Sequence, residues 1–225
     1  MSSKTAQAAN KKTAAFAAAA ASRRARRKLI SWTAAVVVAL GTTFGLYSVF
    51  HRASTSASSY TYQVGAPGVG AQAPGFTLPA TSGGTVSLAS LRGKTVLLYF
   101  QEGLDCQPCW TQIQQLEAAS AQVRAAGIDR VFSITTDPVN LLTQRVHDMS
   151  LSTAVLSDTS LTVSQAYDAN QYGMMGTSMD GHSFILVGPT GKILWRADYG
   201  GAPNYTMDVP VSTLLSQLKA GEVKS

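Results

Sequence analysis

One stretch constrains this chain more than any other: Thr95-Val-Leu-Leu-Tyr-Phe-Gln-Glu-Gly-Leu-Asp-Cys106-Gln-Pro-Cys109-Trp110, where an apolar run passes through a short turn into the chain's two cysteines. A run as dense as residues 96–100 has no polar face to offer water, so it fits a central strand covered on both sides. Gln101, Glu102, Gly103 and Asp105 interrupt it and make the turn. Beyond the cysteines, Ile113 and Leu116 share one face while Gln112, Gln115 and Glu117 fall elsewhere, a rhythm that predicts a helix out to about Arg124. Cys106 then lies at or just before the helix start, with Asp105 available as N-cap. Pro108 is tolerated because the first turn has no intrahelical donor to lose.

That placement carries chemistry. Exposed amides and the macrodipole at a helix start favour a thiolate over a thiol, which makes Cys106 the better-placed nucleophile. Cys109, one turn further in, is close enough to attack a mixed disulfide on Cys106 and release the partner. Other uses of C-x-x-C fit less well. A structural zinc needs about four ligands, and beyond the pair the chain offers only His51, His147 and His182. Covalent haem attachment requires histidine where Trp110 stands. Two inert buried cysteines are the plain alternative.

The 225 residues do not form one uniform globule. Residues 1–28 hold eight Lys or Arg and no acid, whereas the remainder has ten basic against twelve acidic residues; the net charge of +6 therefore belongs to the leader. The folded part is not a basic nucleic-acid binder. Residues 29–50, LISWTAAVVVALGTTFGLYSVF, are uncharged and long enough to cross a bilayer as one helix. With Arg23 to Lys28 just before it, the positive-inside rule puts the N-terminus in the cytoplasm and everything after residue 52 outside. A cleaved signal peptide is the competing reading, but such apolar regions usually span only about 7–15 residues, which favours an anchor. Residues 51–72, rich in Ser, Ala, Gly and Pro, are expected to form a linker, with Tyr60 and Tyr62 at the interface or against the domain. An exported dithiol lives where disulfides persist and needs a redox partner to hold its working state.

The domain is expected over residues 73–225. Gly83-Gly84 suits the turn of a small hairpin, with Val86 and Leu88 on its returning strand. Val131-Phe-Ser-Ile134 is a second buried strand, Asp137-Pro138 opens a helix to about Met149, and Ala154-Val-Leu156 is a short strand before a helix over residues 160–167. Ser183–Val187 and Lys192–Arg196, joined by Gly188-Pro-Thr-Gly191, form a hairpin. Val211, Leu214, Leu215 and Leu218 share one face of a closing helix. Strands alternating with helices imply an α/β fold with a mixed, mostly parallel sheet flanked by helices.

The opening APGFTLPATSGGTVSLASLRGKTVLLYF followed by C-x-x-C resembles the thioredoxin-like redoxin superfamily, which includes peroxiredoxins and membrane-tethered thioredoxin-like reductases. The resemblance covers residues 73–220 and implies a thioredoxin-like fold. It also implies a cis-proline loop facing the dithiol before the late hairpin, but here Met179-Asp-Gly-His182 stands there, without proline. In its place His182 is a candidate base or cation beside Cys106, a metal ligand, or a histidine merely hydrogen-bonded at a strand start. Glu102 and Asp105 are solvated turn residues, negative charges that oppose thiolate formation and favour a less oxidising dithiol, or a proton shuttle to Cys109. Met174, Met175 and Met179 fall in one polar loop and suit packing, a partner surface or a soft metal. Trp110, Tyr172, Trp195 and Tyr199 are candidates to wall a groove around the dithiol.

The sequence thus points to a membrane-anchored, extracytoplasmic thiol-disulfide oxidoreductase, with Cys106 and Cys109 as the couple and His182 and Glu102 as further catalytic candidates. Its partners would be protein disulfides or dithiols and a redox protein at the membrane; the pattern demands no cofactor or metal. Two alternatives stand beside it. A peroxiredoxin-like peroxidase would, by resemblance, carry proline seven and Thr or Ser three residues before its reactive cysteine, where this chain has Tyr99 and Gly103. A copper-delivery protein would use Cys106, Cys109 and His182, although the copper-delivery relatives of cytochrome oxidase assembly carry C-x-x-x-C.

Overall fold

The computed structural model describes residues 60–222. The basic tail (1–28), the expected membrane helix (29–50) and the first part of the expected linker lie outside the described residues. Among the described residues no helix is long and apolar enough to cross a membrane.

The dense run forms β3 (Val96–Phe100), buried at every position. It sits at the middle of a five-stranded sheet of order β5-β4-β3-β6-β7. β4 (Arg130–Thr135) and β5 (Val155–Ser157) run parallel to it, while β6 (Ser183–Val187) and β7 (Ile193–Asp198) form the antiparallel side. The sheet is therefore evenly mixed rather than mostly parallel, because the late hairpin contributes antiparallel pairings on one side. Strand alternation divides β3 between two cores: Leu97 and Tyr99 face the layer of the dithiol helix, and Val96, Leu98 and Phe100 face the opposite layer. A small hairpin, β1 (Thr77–Pro79) with β2 (Thr85–Ser87), turns at Gly83-Gly84 as expected and packs Leu78 into the opposite layer.

The predicted helices are present with shifted ends. The dithiol helix α1 (Gln107–Ala118) stops at Ala119, and a second short helix, α2 (Ser120–Ala125), covers the remainder of the expected span. α3 (Val139–Asp148) begins after Pro138, which is itself the N-cap residue, so Asp137 is freed from capping. α4 (Thr162–Ala166) is shorter than its expected range, and α5 (Val211–Glu222) closes the described chain.

Residues 60–72 do not hang free as a linker. Gln63 bridges Asp198 on β7, Gln72 bridges Lys192, and the Gly65 amide donates to the Asp198 carboxylate at 2.7 Å. Tyr60 and Tyr62 pack against the domain, Tyr62 edge-on to Trp195 and Tyr199. That carboxylate also holds Arg196 at 2.8 Å in a fully buried ion pair, so one β7 side chain fastens both the strand's guanidinium and the incoming chain.

Candidate functional site

The turn between β3 and α1 is held by a set of hydrogen bonds from its own residues and from Asp137. Gln101 turns its side chain back to accept the Gly103 amide at 2.7 Å. The Gly103 carbonyl accepts from the Cys106 amide at 3.1 Å and from the Trp110 indole at 3.0 Å. Gly103 has φ +93°, and a Cβ there would collide with an Asp137 carboxylate oxygen, so the position admits only glycine. Asp137 accepts the Leu104 amide at 2.8 Å and the Thr135 hydroxyl at 3.1 Å. Its function is to anchor the dithiol turn rather than to cap α3, which no local signal in the sequence distinguishes.

Cys106, not Asp105, is the N-cap of α1, its sulfur accepting the Cys109 amide at 3.3 Å; Asp105 is exposed. The two cysteines are joined as a disulfide with Cα atoms 5.3 Å apart. Cys106 retains 7% exposure and Cys109 none, which separates an outer sulfur open to attack from an inner one reached only through the first. The helix start directs backbone amides and positive potential at the outer sulfur, an arrangement that stabilises its thiolate when the bond is reduced. Arg145 of α3 lies alongside, donating to the Gln107 amide oxygen at 2.6 Å with its guanidinium 5.5 Å from the Trp110 ring centre.

A pocket of about 300 Å³ opens onto Cys106 and not onto Cys109. Its walls are Glu102, Asp105, Pro108, Met174, Met175, Met179, Tyr205 and Met207. Glu102 is only 3% exposed, so it is not a solvated turn residue; one of its carboxylate oxygens accepts the amides of Met174 and Met175, fastening the methionine loop to the turn that carries the dithiol. Tyr205 and Met207 come from the segment after β7. A larger cavity of about 590 Å³, lined by residues such as Glu117, Arg124 and Arg130, contains neither cysteine. Of the expected aromatic walls, Trp110, Trp195 and Tyr199 are core residues and Tyr172 packs on Arg196; none lines the pocket.

His182 stands immediately before β6, completely buried. Its Nδ1 is 2.9 Å from the Tyr99 hydroxyl, which also lies 3.4 Å from the Cys109 carbonyl oxygen. Its ring sits among Tyr99, Phe184 and Tyr199, and Nε2 has no partner among the described residues. Burial pushes its pKa down to about 3, so the ring is neutral at physiological pH and cannot serve as a cation beside Cys106. Tyr99 is held well above the ordinary tyrosine range, first by burial and then by the charges of Asp208 and Glu102, and stays a hydroxyl donor. Among the described residues no three His, Cys, Asp or Glu side chains gather as a metal-binding set, so the copper reading built on Cys106, Cys109 and His182 has no assembled site.

A dithiol capping a helix at the end of a central strand, in a mixed sheet flanked by helices, defines a thioredoxin-like redox domain. Within that class the chain belongs to the AhpC/TSA family, whose description matches residues 69–196. It is 31% identical over 122 residues to a putative peroxiredoxin bcp of Coxiella burnetii, covering 52% of this chain and 80% of the relative. It is likewise 31% identical over 124 residues to peroxiredoxin Bcp of Escherichia coli, covering 54% and 79%. In fold it is similar to peroxidoxin BcpB of Mycobacterium tuberculosis, with TM-score 0.55 at 19% identity over 68% of this chain and 96% of that one. Enterococcus faecalis AhpC superposes with TM-score 0.58 at 14% identity, over 69% and 92%.

Proposed function

We propose that this chain is a thiol-dependent peroxidase of the AhpC/TSA type that works through the Cys106–Cys109 couple. The observation that carries the reading is the pocket, which exposes one sulfur at a helix start while the second waits directly behind it. The peroxiredoxin relatives supply the oxidant. The Cys106 thiolate attacks one oxygen of a hydroperoxide; the O–O bond breaks, the departing alkoxide or hydroxide takes a proton from solvent and leaves as alcohol or water, and Cys106 becomes a sulfenic acid. Cys109 attacks that sulfur, water departs with the thiol proton, and the disulfide forms. A dithiol partner returns two electrons and two protons.

Disulfide exchange with a protein partner is the second reading, and one observation favours it. At the positions seven and three before Cys106, Tyr99 turns inward to His182 and Gly103 has no side chain, so neither brings a polar group to the pocket. Both readings use the same two sulfurs, Cys106 attacking and Cys109 resolving. In either case Glu102 acts as the residue positioning the pocket loop, and His182 as a neutral partner of Tyr99 behind Cys109.

Rapid mixing of the reduced chain with hydrogen peroxide and, separately, with a model disulfide decides between them. A peroxidase should oxidise Cys106 about 100-fold or more faster than a free thiol, the scale of gain a positioned site provides. An ordinary thiol rate with fast exchange would overturn the peroxidase assignment in favour of the second reading. The uncharged run at 29–50 after a basic tail further supports an anchored protein with its redox domain outside the cytoplasm. Reporter fusions after residue 52 should be active only in the extracytoplasmic orientation; a cytoplasmic signal would refute it.

A further inference from the structure

We propose that the pocket facing Cys106 binds a soft monovalent metal ion, Cu(I), through the Cys106 thiolate and the thioethers of Met174, Met175, Met179 and Met207. The chain has six methionines, and four of them line this one pocket. An apolar cavity needs no sulfur; leucine or valine, which fill both cores of this domain, would serve as well. What sets thioethers apart from leucine is a soft lone pair, and thioether with thiolate is the donor set that selects Cu(I).

The donors converge from three separate stretches: the helix start, the loop before β6 and the segment after β7. The Glu102 carboxylate pins the Met174 and Met175 amides beside the dithiol. Those two side chains are 55% and 54% exposed, giving an ion access from water, while Met207 forms the buried floor. Glu102 and Asp105 line the same space and add negative charge. This set omits His182, and it is independent of whether the oxidant in turnover is a peroxide or a disulfide. Binding requires the reduced pair: Cys106 loses its thiol proton to solvent as the copper–sulfur bond forms, with no electron transferred.

The test is an anaerobic titration of the reduced full chain with Cu(I) against a chromophoric chelator. One ion per chain is expected, with affinity lost in the disulfide form and Cys106 protected from alkylation when loaded. Met174→Leu/Met175→Leu keeps the side-chain volume and removes two donors; it should weaken binding by more than the roughly 10–100-fold that follows loss of an outer-shell partner. Cys109→Ser should retain the ion. Unchanged affinity in the methionine variant, or loss of the ion in Cys109→Ser, would show the dithiol alone as the ligand and overturn the proposal. Failure of the reduced chain to compete with the chelator would do the same.

Discussion

Replacing His182 by glutamine should remove an acid sensitivity built into the site. In the folded chain burial pushes His182 down to about 3, whereas the unfolded chain carries an ordinary imidazole titrating near 6.5. As pH falls below the unfolded value, the unfolded state takes up a proton that the folded state refuses, so stability declines between the two values. Each tenfold rise in proton activity through that window favours the unfolded state by about 1.4 kcal/mol, so a fall from roughly pH 7.5 to 5 should cost about 2 kcal/mol through this residue. Asp180, two residues away and fully buried, acts in the opposite sense. Burial raises its pKa, so its stabilising contribution is present below the ordinary 3.8 and fades as pH rises through the folded value. The wild-type slope alone therefore mixes both groups, and the informative quantity is the difference between the wild type and His182→Gln, in which Asp180 is common to both. Glutamine does not titrate and keeps an acceptor for the Tyr99 hydroxyl. Urea unfolding of the oxidised chains at several pH values, followed by tryptophan fluorescence, should show the wild-type midpoint falling by about 1 M more than the variant's, for a slope near 2 kcal/mol per molar. Equal pH slopes in the two proteins would refute the reasoning.

Asp198→Asn should destabilise the domain by about 3–5 kcal/mol, because Arg196 would be left as an uncompensated buried charge, and Arg196→Met/Asp198→Leu should recover much of that loss in thermal unfolding. Glu102→Ala should free the Met174 and Met175 amides at a cost of about 1–3 kcal/mol and speed proteolytic nicking of residues 173–179. Gly103→Ala should displace the Asp137 anchor and slow the reaction of Cys106 with its oxidant, measured by rapid mixing, since the added methyl runs into that carboxylate. Cys106→Ser should abolish turnover, whereas Cys109→Ser should leave Cys106 to accumulate as a sulfenic acid or a mixed disulfide, seen by intact mass; turnover surviving the first change would remove Cys106 from its role.

Much of this architecture was legible because its determinants are local. Five adjacent apolar residues dictate a strand covered on both faces, and the pair Cys106–Cys109 after a turn dictates a helix start with two sulfurs one turn apart. The hairpin at Gly83-Gly84 and the one at Gly188–Gly191 follow from turn chemistry, which is also written in adjacent residues. Local composition misled where tertiary contacts override it. Residues 60–72 have the make-up of a linker, yet Asp198, far away in sequence, captures the Gly65 amide. Asp137 before proline has the form of a helix cap, yet it serves a turn more than thirty residues earlier.

The sequence by itself determined that the two cysteines stand one turn apart at a helix start beside a central strand, and the core that surrounds them, since each depends on residues within a turn or on strand and helix period. Only the tertiary structure decided which side chains face the sulfur. It buried His182 as a neutral ring, turned Glu102 inward to hold a loop, and brought Met207 to Met174 and Met175. Those placements depend on how separate loops meet above the sheet, and no residue spacing encodes that.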